Sequence, residues 1–309
     1  MPDRTPDISV VVTTFNGERF LREQLDSILA QTVQPREIVV VDDGSRDGTM
    51  AILEAYAAAD SRFRIFRNEE NLGYVRNFEK GMRLAEGELV ALSDQDDVWL
   101  PHKLAVLCDR LGDGLIVYSD SELVDEEGRR LGRRMSDVKN QIGYDSCLMY
   151  AVGAWAPGHA MLFRRELVGL CLPFPTLVTH DYWLGFTATC HGAIRYVAEP
   201  LVLYRQHRGN VIGADTRARK AGRARPTRAE KRARIRARMR LLYERCPVEN
   251  RQGKEVYRVL DESYRSFSLR NDWTRMMVFF RYRHLILAYK RKSPPMKLLF
   301  CLKMFFAID

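Results

Sequence analysis

The first part of the chain alternates short apolar runs with amphipathic segments, and this alternation constrains the fold more than any other feature. The apolar runs are rich in β-branched residues, whereas the segments between them repeat apolar residues at helical spacing. Repeated strand and helix units predict a mostly parallel sheet that helices cover on both faces. The predicted strands are 8–12, 37–41, 63–66 and 89–92, and the predicted helices are 18–30, 47–56, 74–85 and 101–111.

The pattern continues less regularly and then changes. Strands are predicted at 116–119, 160–163 and 194–197, with a short helix from about Tyr182 and an irregular connection over 130–157. After His207 a basic stretch is followed by helical patterns, broken by Pro294 and Pro295. We therefore predict a boundary near residue 214, between an α/β domain of residues 1–214 and a helical region of residues 215–309.

Polar clusters follow three of the predicted strands, at 13–17, 42–45 and 93–97. In open parallel sheets, ligands bind at the carboxyl ends of the strands. The sequence therefore predicts a single site to which all three clusters contribute.

The most informative cluster is the acidic loop, Ser93-Asp94-Gln95-Asp96-Asp97-Val98-Trp99. Three neighbouring carboxylates repel one another unless a cation neutralises them. Carboxylate oxygens are the hard ligands that Mg²⁺ and Mn²⁺ prefer. The alternative is a solvated acidic turn before the helix that starts near Pro101.

The second cluster is Asp42-Asp43-Gly44-Ser45. The carboxylate of Asp43 can accept the N3–H of uracil or thymine, and Gly44 allows the backbone to approach a ligand closely. The alternative is turn formation, since Asp-Gly is a common turn and Asp47 is suited to capping the next helix.

Two later motifs carry candidate catalytic groups. In Thr179-His180-Asp181-Tyr182-Trp183, Asp181 is either a helix cap or a general base that removes a hydroxyl proton. In Tyr204-Arg205-Gln206-His207, His207 is either structural or a further ligand for the cation of the acidic loop.

Other common sites are not encoded. The first strand is not followed by Gly-x-Gly-x-x-Gly, and the chain has neither a Gly-Lys-Ser/Thr phosphate loop nor a nucleophile elbow. The six cysteines include no Cys-x-x-Cys pair, so no zinc cluster is encoded locally and buried free thiols in a reducing compartment are predicted.

The net charge of +9 belongs to one segment. Residues 217–240 hold twelve Lys or Arg and one Glu, a net of +11, so the remaining residues sum to −2. No aromatic residue lies in this segment, which argues against stacking on nucleic-acid bases. The later segments 276–283 and 297–306 combine cations with apolar bulk, and such helices lie on anionic membranes. A solvated helix is the alternative.

The localisation expected from the sequence is cytoplasmic. No basic flank precedes an apolar segment at the start, and no apolar run approaches the roughly 20 residues of a spanning helix. With the basic segment, this predicts a peripheral protein on the inner face of the cell membrane.

The order of these motifs resembles that of the family 2 glycosyltransferases of the GT-A fold. The resemblance covers roughly residues 8–212 and includes Thr14-Phe15-Asn16-Gly17, Asp42 to Ser45, Asn71-Leu72-Gly73, the acidic loop and the two later motifs. The opening and the acidic loop look like the bacterial subgroup that builds surface polysaccharides such as O-antigen, many of whose members are rhamnosyltransferases.

The resemblance implies a Rossmann-like GT-A sheet and an inverting transfer that depends on Mn²⁺ or Mg²⁺. The implied donor is dTDP-rhamnose or a UDP-hexose, and the implied acceptor is a glycan or lipid-linked hydroxyl. The implied donor-site residues are Thr13, Asn16, Asp43, Asn71, Asp94 and Asp97, with Asp94 on the ribose side, Asp96 and His207 at the metal, and Asp181 as the base.

Two other functions compete with this interpretation. A nucleotidyltransferase shares the layout and the acidic site, but its Gly-rich basic loop is missing from residues 13–17, which hold one Gly and no Lys or Arg. A nucleic-acid-binding protein would use the basic segment, and its binding would weaken steeply with salt.

Overall fold

The computed structural model describes residues 6–207 and 226–306, which form strands in the first part and helices throughout. The strands are β1 Ile8–Thr14, β2 Glu37–Asp42, β3 Phe63–Arg67, β4 Leu89–Ser93, β5 Val98–Trp99, β6 Ile116–Val124, β7 Arg130–Arg134, β8 Met161–Arg164 and β9 Ile194–Arg205. The helices are α1 Leu21–Leu29, α2 Thr49–Ala59, α3 Tyr74–Leu84, α4 Lys103–Leu111, α5 Met135–Val138, α6 Glu166–Cys171, α7 His180–His191, α8 Arg228–Arg245, α9 Arg251–Tyr264, α10 Leu269–Arg281, α11 Arg283–Ile286 and α12 Pro294–Phe306.

The strands form one sheet in the order β3-β2-β1-β4-β8-β6-β9-β5, with β7 paired to β6. β1 pairs in parallel with β2 and β4, and β2 pairs in parallel with β3. β8 runs antiparallel to both of its neighbours, whereas β6 and β9 are parallel. This confirms the predicted α/β class, with a sheet flanked by helices and a C-terminal helical extension. The sheet is mixed rather than mostly parallel, because the pairings of β8 with β4 and β6, of β5 with β9 and of β7 with β6 are antiparallel.

The centre of the sheet is buried because its strands are apolar along their length. Every residue of β1 and β2 is buried, as expected for strands that are covered on both faces. Helix α1 contributes Leu21, Leu25 and Ile28 to the same core. The core therefore fixes the strand ends, from which the polar clusters extend.

Several elements differ from the sequence-based expectation. The connection at 130–157 contains β7, α5 and a 3₁₀ helix at Cys147–Tyr150. Helix α7 begins at His180 and extends to His191, and β9 continues past the predicted residue 197 to Arg205. The longer β9 brings the Tyr204 to His207 motif to the sheet.

The chain divides into two compact units. Within the described residues, the first comprises 6–143, 156–185 and 193–207, and the second comprises 144–155, 186–192 and 226–306. The second unit thus takes two short segments from the range assigned to the α/β domain. The functional division at residue 214 stays a prediction.

The second unit is helical. Helix α8 begins with a reciprocal capping box between Thr227 and Glu230, which satisfies exposed N–H groups of the first turn. Residues 217–225 of the predicted basic segment lie outside the described residues, and residues 228–240 form the first part of α8. In the ranges 6–207 and 226–306, the helices are all too short or too polar to cross a bilayer.

Candidate active site at the carboxyl ends of the strands

The three polar clusters of the first unit meet at one edge of the sheet. Thr14 at the end of β1 pairs with Asp42 at the end of β2, and Val12 pairs with Ser93 at the end of β4. Because these strands are parallel, the loops that follow them leave the sheet on the same side. The structure therefore places the acidic loop beside the two other clusters, as the sequence predicts.

The loop after β1 is shaped by side-chain contacts to the loop after β2. Asn16 has a positive φ of 49°, and its side-chain oxygen accepts a hydrogen bond from the N–H of Arg46 at 2.9 Å. Its own N–H donates to the Ser45 hydroxyl at 2.8 Å. Left-handed backbone is tolerated by Asn better than by most residues. Thr13, just before this loop, is buried in β1.

A cavity of about 630 Å³ opens between these loops. The exposed ring of Phe15 and the side chain of Asn16 lie on one side. Gly44, at a φ of 80° that favours glycine, leaves its backbone accessible. The lining residues are Phe15, Asn16, Gly44, Arg46, Arg67, Asn68, Glu69, Glu70 and Asn71. Two predicted donor-site residues, Asn16 and Asn71, therefore line one cavity that also contains two guanidinium groups.

Asp43 forms hydrogen bonds to the segment 68–73, part of which lines this cavity. Its carboxylate is 3% exposed and accepts hydrogen bonds from Asn68 Nδ2, the Leu72 N–H and the Gly73 N–H at 2.8, 2.8 and 2.9 Å. A carboxylate offers about four acceptor positions, so these bonds use most of its capacity. The observed role of Asp43 is to order residues 68–73, and base recognition by its side chain stays a prediction.

Asp47 does not occupy the cap position predicted for it. Helix α2 begins at Thr49 after a Gly48 cap. The Asp47 carboxylate accepts from the Thr49 N–H at 3.1 Å and from the Glu18 N–H at 3.1 Å. The residue therefore joins the loops after β1 and β2 while it supports the start of α2.

The acidic loop is anchored to the loop after β1. The side-chain amide of Gln95 accepts from the Phe15 N–H at 2.8 Å and donates to the Phe15 carbonyl at 3.1 Å. A Cβ at Gly17 would lie 2.3 Å from the Gln95 oxygen, so a side chain at this position would displace the Gln95 amide. These two hydrogen bonds hold Gln95, and with it the neighbouring Asp94 and Asp96, beside the loop after β1.

Asp96 and His207 lie together at the solvent side of the acidic loop. Asp96 Oδ2 is 2.7 Å from His207 Nε2, and each side chain is 14% exposed. Arg205 supports the pair, because its Nε donates to the Asp96 carbonyl at 2.9 Å. The two predicted metal ligands, distant in sequence, are thus neighbours in the fold.

A second group of ligand atoms lies deeper. Asp94, Asp97 and His159 each offer one ligand atom, and these three atoms lie within 4.8 Å of one another. Asp97 Oδ1 accepts from the Arg205 N–H at 3.0 Å, whereas Asp97 Oδ2 is buried with no hydrogen-bond partner among the described residues. The ammonium group of Lys103 donates to the His159 carbonyl at 2.7 Å and lies 3.3 Å from the centre of the Trp99 ring.

The acids perturb one another's titration. Burial and the charges of Asp96 and Asp181 raise the pKa of Asp94 to about 7, against the opposing charge of Lys103. Burial and the charges of Asp96 and Asp94 raise the pKa of Asp97 well above its ordinary value. Burial lowers the pKa of Lys103, and burial together with Lys103 and Lys139 lowers the pKa of His159 to about 3. Added positive charge at this site would favour the ionised carboxylates.

Asp181 lies in the first turn of α7. It is therefore inside the helix and is not the residue that caps it. The helix begins at His180, and the preceding Thr179 hydroxyl accepts from the Tyr182 N–H at 3.4 Å. The Asp181 carboxylate, on a residue that is 5% exposed, accepts from the Tyr182 N–H at 2.7 Å and from the Thr179 hydroxyl. Asp181 is near enough to the acidic loop for its charge to raise the pKa of Asp94.

His180 is a poor alternative to Asp181 as a base. Its ring is buried and stacks on Phe78 at 4.0 Å. Neither ring nitrogen has a hydrogen-bond partner among the described residues, and burial lowers the pKa of the imidazole despite the charge of Asp181. A Cβ at Gly158 would lie 2.7 Å from its Nε2, so the ring is tightly enclosed.

Three residues of the site were not identified from the sequence. Lys103 and His159 lie outside the recognised motifs, and a buried Lys on an amphipathic helix has no periodic signature. Arg205 lies within a recognised motif, but the motif does not indicate which groups its guanidinium contacts. Its guanidinium donates to the Glu126 carbonyl and to Glu23 as well as to the Asp96 carbonyl, so it joins the acidic loop to helix α1 and to the loop after β6.

Comparison with known proteins gives a consistent result. Residues 9–169 match the family described as Glycosyl transferase family 2. A Bacillus subtilis (strain 168) protein named as a glycosyltransferase, EpsH, is 30% identical over 67% of this chain and 63% of its own length. An uncharacterized glycosyltransferase of Nostoc sp. is 30% identical over 66% of each chain. The match therefore spans just under two thirds of these relatives.

Solved structures share the fold. The crystal structure of S. aureus TarS 1-349 in complex with UDP-GlcNAc aligns with a TM-score of 0.55 over 92% of both chains, at 18% identity. The corresponding complex with UDP aligns with a TM-score of 0.53 over 93% of this chain and 92% of that one, also at 18% identity. At this identity the likeness concerns the fold alone.

Proposed function

Because the chain belongs to glycosyl transferase family 2, we propose that it moves a sugar from a nucleoside diphosphate to an acceptor hydroxyl with inversion at the anomeric carbon. The observation that carries this proposal is that a candidate metal ligand and the candidate base both lie near Asp94. The charges of Asp96, beside His207, and of Asp181, at the start of α7, both act on this one carboxyl group. A candidate cation ligand and a candidate base thus act on the same carboxyl group.

The cavity between the loops after β1, β2 and β3 is the proposed nucleoside site. Phe15 offers an exposed aromatic face for a base, and Arg46 and Arg67 add positive charge at the lining. The TarS structures are complexes with UDP-GlcNAc and UDP, which supports a nucleoside diphosphate as the leaving group. The donor candidates are a UDP-hexose and dTDP-rhamnose.

Asp96 and His207 are the proposed metal ligands. A carboxylate and an imidazole 2.7 Å apart at the surface of the site fit a divalent cation that keeps positions open for diphosphate. The deeper group of Asp94, Asp97 and His159 fits less well, because the ammonium of Lys103 already acts on both acids. When bound, Mn²⁺ or Mg²⁺ would neutralise charge that develops on the leaving diphosphate.

Asp181 is the proposed general base. Inversion in one displacement requires a group that accepts the proton of the acceptor hydroxyl as its oxygen attacks the sugar. The Asp181 carboxylate is held by the Thr179 hydroxyl and the Tyr182 N–H. These contacts fix the orientation of the carboxylate.

The acceptor is proposed to be a glycan or lipid-linked hydroxyl of bacterial surface polysaccharide, reached on the cytoplasmic face of the membrane. Helix α8 carries eight Lys or Arg against two Glu. Helices α10 and α12 pack through Trp273 with Phe305 and Phe279 with Phe300. Their exposed apolar side chains are Leu269, Trp273, Met277, Met296, Leu298, Leu299, Leu302 and Phe306. Cations and exposed apolar groups in one unit support binding to anionic lipid.

A donor screen tests the proposal. The protein is incubated with Mn²⁺, extracted lipid-linked glycan and one nucleotide sugar at a time, and nucleotide release is measured. Release of UDP or dTDP with transfer of the sugar to the acceptor is expected for one donor. Release of pyrophosphate from a nucleoside triphosphate and a sugar phosphate would instead identify a nucleotidyltransferase and contradict the proposal.

Membrane association is tested with vesicles. The intact chain should bind vesicles with phosphatidylglycerol more strongly than neutral vesicles, and salt should weaken the binding because the Debye length falls. Replacement of Trp273 and Leu299 by Ser should reduce the binding. Equal binding to neutral vesicles, or stronger binding to RNA than to lipid, would remove the membrane role.

A further inference from the structure

Three cysteine side chains of the second unit meet in the fold. One sulfur atom each from Cys147, Cys190 and Cys246 lies within 4.8 Å of the two others. We call these residues the cysteine cluster. Each comes from a different element: the 3₁₀ helix at Cys147–Tyr150, the last turn of α7, and the residue that caps the end of α8. The cluster is therefore a product of tertiary structure, which sequence spacing did not reveal.

The cluster is enclosed by the start of helix α9. Asn250, the cap of α9, donates through Nδ2 to Cys147 Sγ at 3.7 Å and to the Cys190 carbonyl at 3.2 Å. A Cβ at Gly253 would lie 2.5 Å from Cys147 Sγ and 3.1 Å from Cys246 Sγ. The missing side chain at this position lets the first turn of α9 lie directly against two sulfur atoms.

The surroundings favour negative charge on the sulfur of Cys246, because hydrogen bonds from Cys147 and Cys190 lower its pKa to about 4, whereas hydrogen bonding to Cys147 and Cys246 raises the pKa of Cys190. The N-terminus of α9 presents the positive end of the helix dipole, and Asn250 adds an N–H donor. Lys254 and His191 bring positive charge near Cys246. Cys147 and Cys246 are 1% and 2% exposed, so an anionic sulfur there requires such compensation. Thiolates, rather than thiols, are the form of cysteine that binds metals.

We propose that the cysteine cluster binds a soft divalent metal ion, with Zn²⁺ as the expected occupant, through three thiolates. At a Zn–S distance of about 2.3 Å, tetrahedral geometry separates the sulfur atoms by about 3.8 Å, which small side-chain rotations reach from the observed spacing. Binding releases the thiol protons to solvent, and water completes the coordination. The ion would join the segments 144–155, 186–192 and 226–306 of the second unit.

This site is separate in chemistry from the proposed catalytic cation. Mg²⁺ and Mn²⁺ prefer oxygen ligands, whereas thiolates select softer ions such as Zn²⁺. The proposal does not depend on the donor, the base or the acceptor. Its failure would leave the glycosyl transfer proposal intact.

Cobalt provides the direct probe, because Co²⁺ bound to thiolate gives near-ultraviolet charge-transfer absorption that oxygen ligands do not give. The full chain, purified with a phosphine reductant and stripped of metal, is titrated with CoCl₂ and then with ZnCl₂. Absorption should saturate at about one Co²⁺ per chain and be displaced by Zn²⁺, which binds such sites more tightly than Co²⁺. Zn²⁺ should also raise the Tm of the stripped protein.

Matched variants locate the site. Cys147→Ser, Cys190→Ser and Cys246→Ser should each reduce the charge-transfer absorption and the Tm response to Zn²⁺. Cys301→Ser, at another buried cysteine of the same unit, should preserve both. His207→Ala should also preserve both, since it alters only the proposed catalytic ligands.

A second measurement uses the unaltered chain, in case a variant does not fold. Zn²⁺ should slow alkylation of the cysteine cluster, followed by mass spectrometry, and leave the rate at Cys108 unchanged. Absence of charge-transfer absorption in the reduced chain would overturn the proposal. Unchanged absorption in the three cluster variants would do the same, as would a disulfide within the cluster that persists in the reductant.

Discussion

The acidic loop of the first unit and the cysteine cluster of the second bring potential ligands together in opposite ways. Asp94, Asp96 and Asp97 are close because they are close in sequence, and His207 joins them through the long strand β9. The cysteines are far apart in sequence and meet only when three elements and the start of α9 pack. A local motif can thus be recognised without a structure, whereas an assembled site cannot.

The two sites also differ in exposure and ligand type. Asp96 and His207 are partly open to solvent, as a catalytic ion that binds substrate requires. The cysteine cluster is mostly buried and carries sulfur ligands, as is typical of structural zinc. The comparison predicts that Mn²⁺ or Mg²⁺ at Asp96 and His207 controls the rate of sugar transfer. It also predicts that Zn²⁺ at the cysteine cluster controls the free energy of unfolding.

Chelation should give the largest effect on turnover. EDTA should reduce sugar transfer to background, and Mn²⁺ or Mg²⁺ should restore it, because the diphosphate leaves with charge that the cation neutralises. Cys246→Ser should show the same loss and recovery in its folded fraction. Full transfer in EDTA would remove the catalytic cation from the account.

Removal of one catalytic ligand should be the next largest effect. His207→Ala should weaken Mn²⁺ binding at least about 10- to 100-fold, the range found when residues that merely support ligands are removed. Electron paramagnetic resonance of free Mn²⁺ measures this affinity. His102→Ala is the matched control, since His102 is exposed and pairs with Glu199, and it should bind Mn²⁺ normally. Equal affinities of the two variants would contradict the assignment of His207.

The pH dependence of Mn²⁺ binding should be smaller. The pKa of Asp94 is raised to about 7, so as pH falls below that value its carboxyl gains a proton and loses the negative charge beside Asp96. Cation affinity should therefore fall with falling pH, by up to about tenfold per pH unit for one proton. Asp94→Asn should bind more weakly and show a flatter profile. A steep profile retained by this variant would assign the proton to another group.

The smallest expected effect concerns the packing of α9 on the cysteine cluster. Gly253→Ala should reduce the free energy of unfolding by about 1–3 kcal/mol, the usual cost of added bulk in a packed core, and should impair Co²⁺ binding. Gly169→Ala in α6 is the control, because its added Cβ meets no atom within 4 Å. That change should be neutral or stabilising by about 0.5–1 kcal/mol. Denaturant unfolding measures both, and equal effects would argue against close packing at Gly253.

The sequence predicted the fold where local patterns and tertiary packing agree. The strands β1 to β4 were confirmed, and β1 and β2 carry the continuous β-branched runs that are typical of buried strands. The short strand β5 was missed within the acidic loop, and β7 was missed because Arg130–Arg134 is fully exposed and has no apolar alternation. Helix α7 was underestimated because its buried residues do not follow a single face.

The site was predictable to the extent that its groups lie in motifs. The motifs gave Asp96 and His207, which the structure brings within 2.7 Å, and they gave Asp181, whose charge acts on Asp94. Lys103 and His159 could not be predicted in the same way, because their burial depends on partners from other elements. The hydrogen bonds of Asp43 could not be predicted either, because residues 68–73 are distant in sequence and come close to Asp43 only in the folded chain.

The most direct test of the account is Asp181→Asn, with donor binding and sugar transfer measured on one preparation. Asn keeps an oxygen that can accept from Tyr182 and Thr179, so the start of α7 should be retained. It cannot accept the proton of the acceptor hydroxyl. The account predicts near-normal donor affinity and a turnover reduced by about 10²- to 10⁴-fold, the usual contribution of a positioned base. Normal donor binding with turnover near that of the unaltered protein would contradict it.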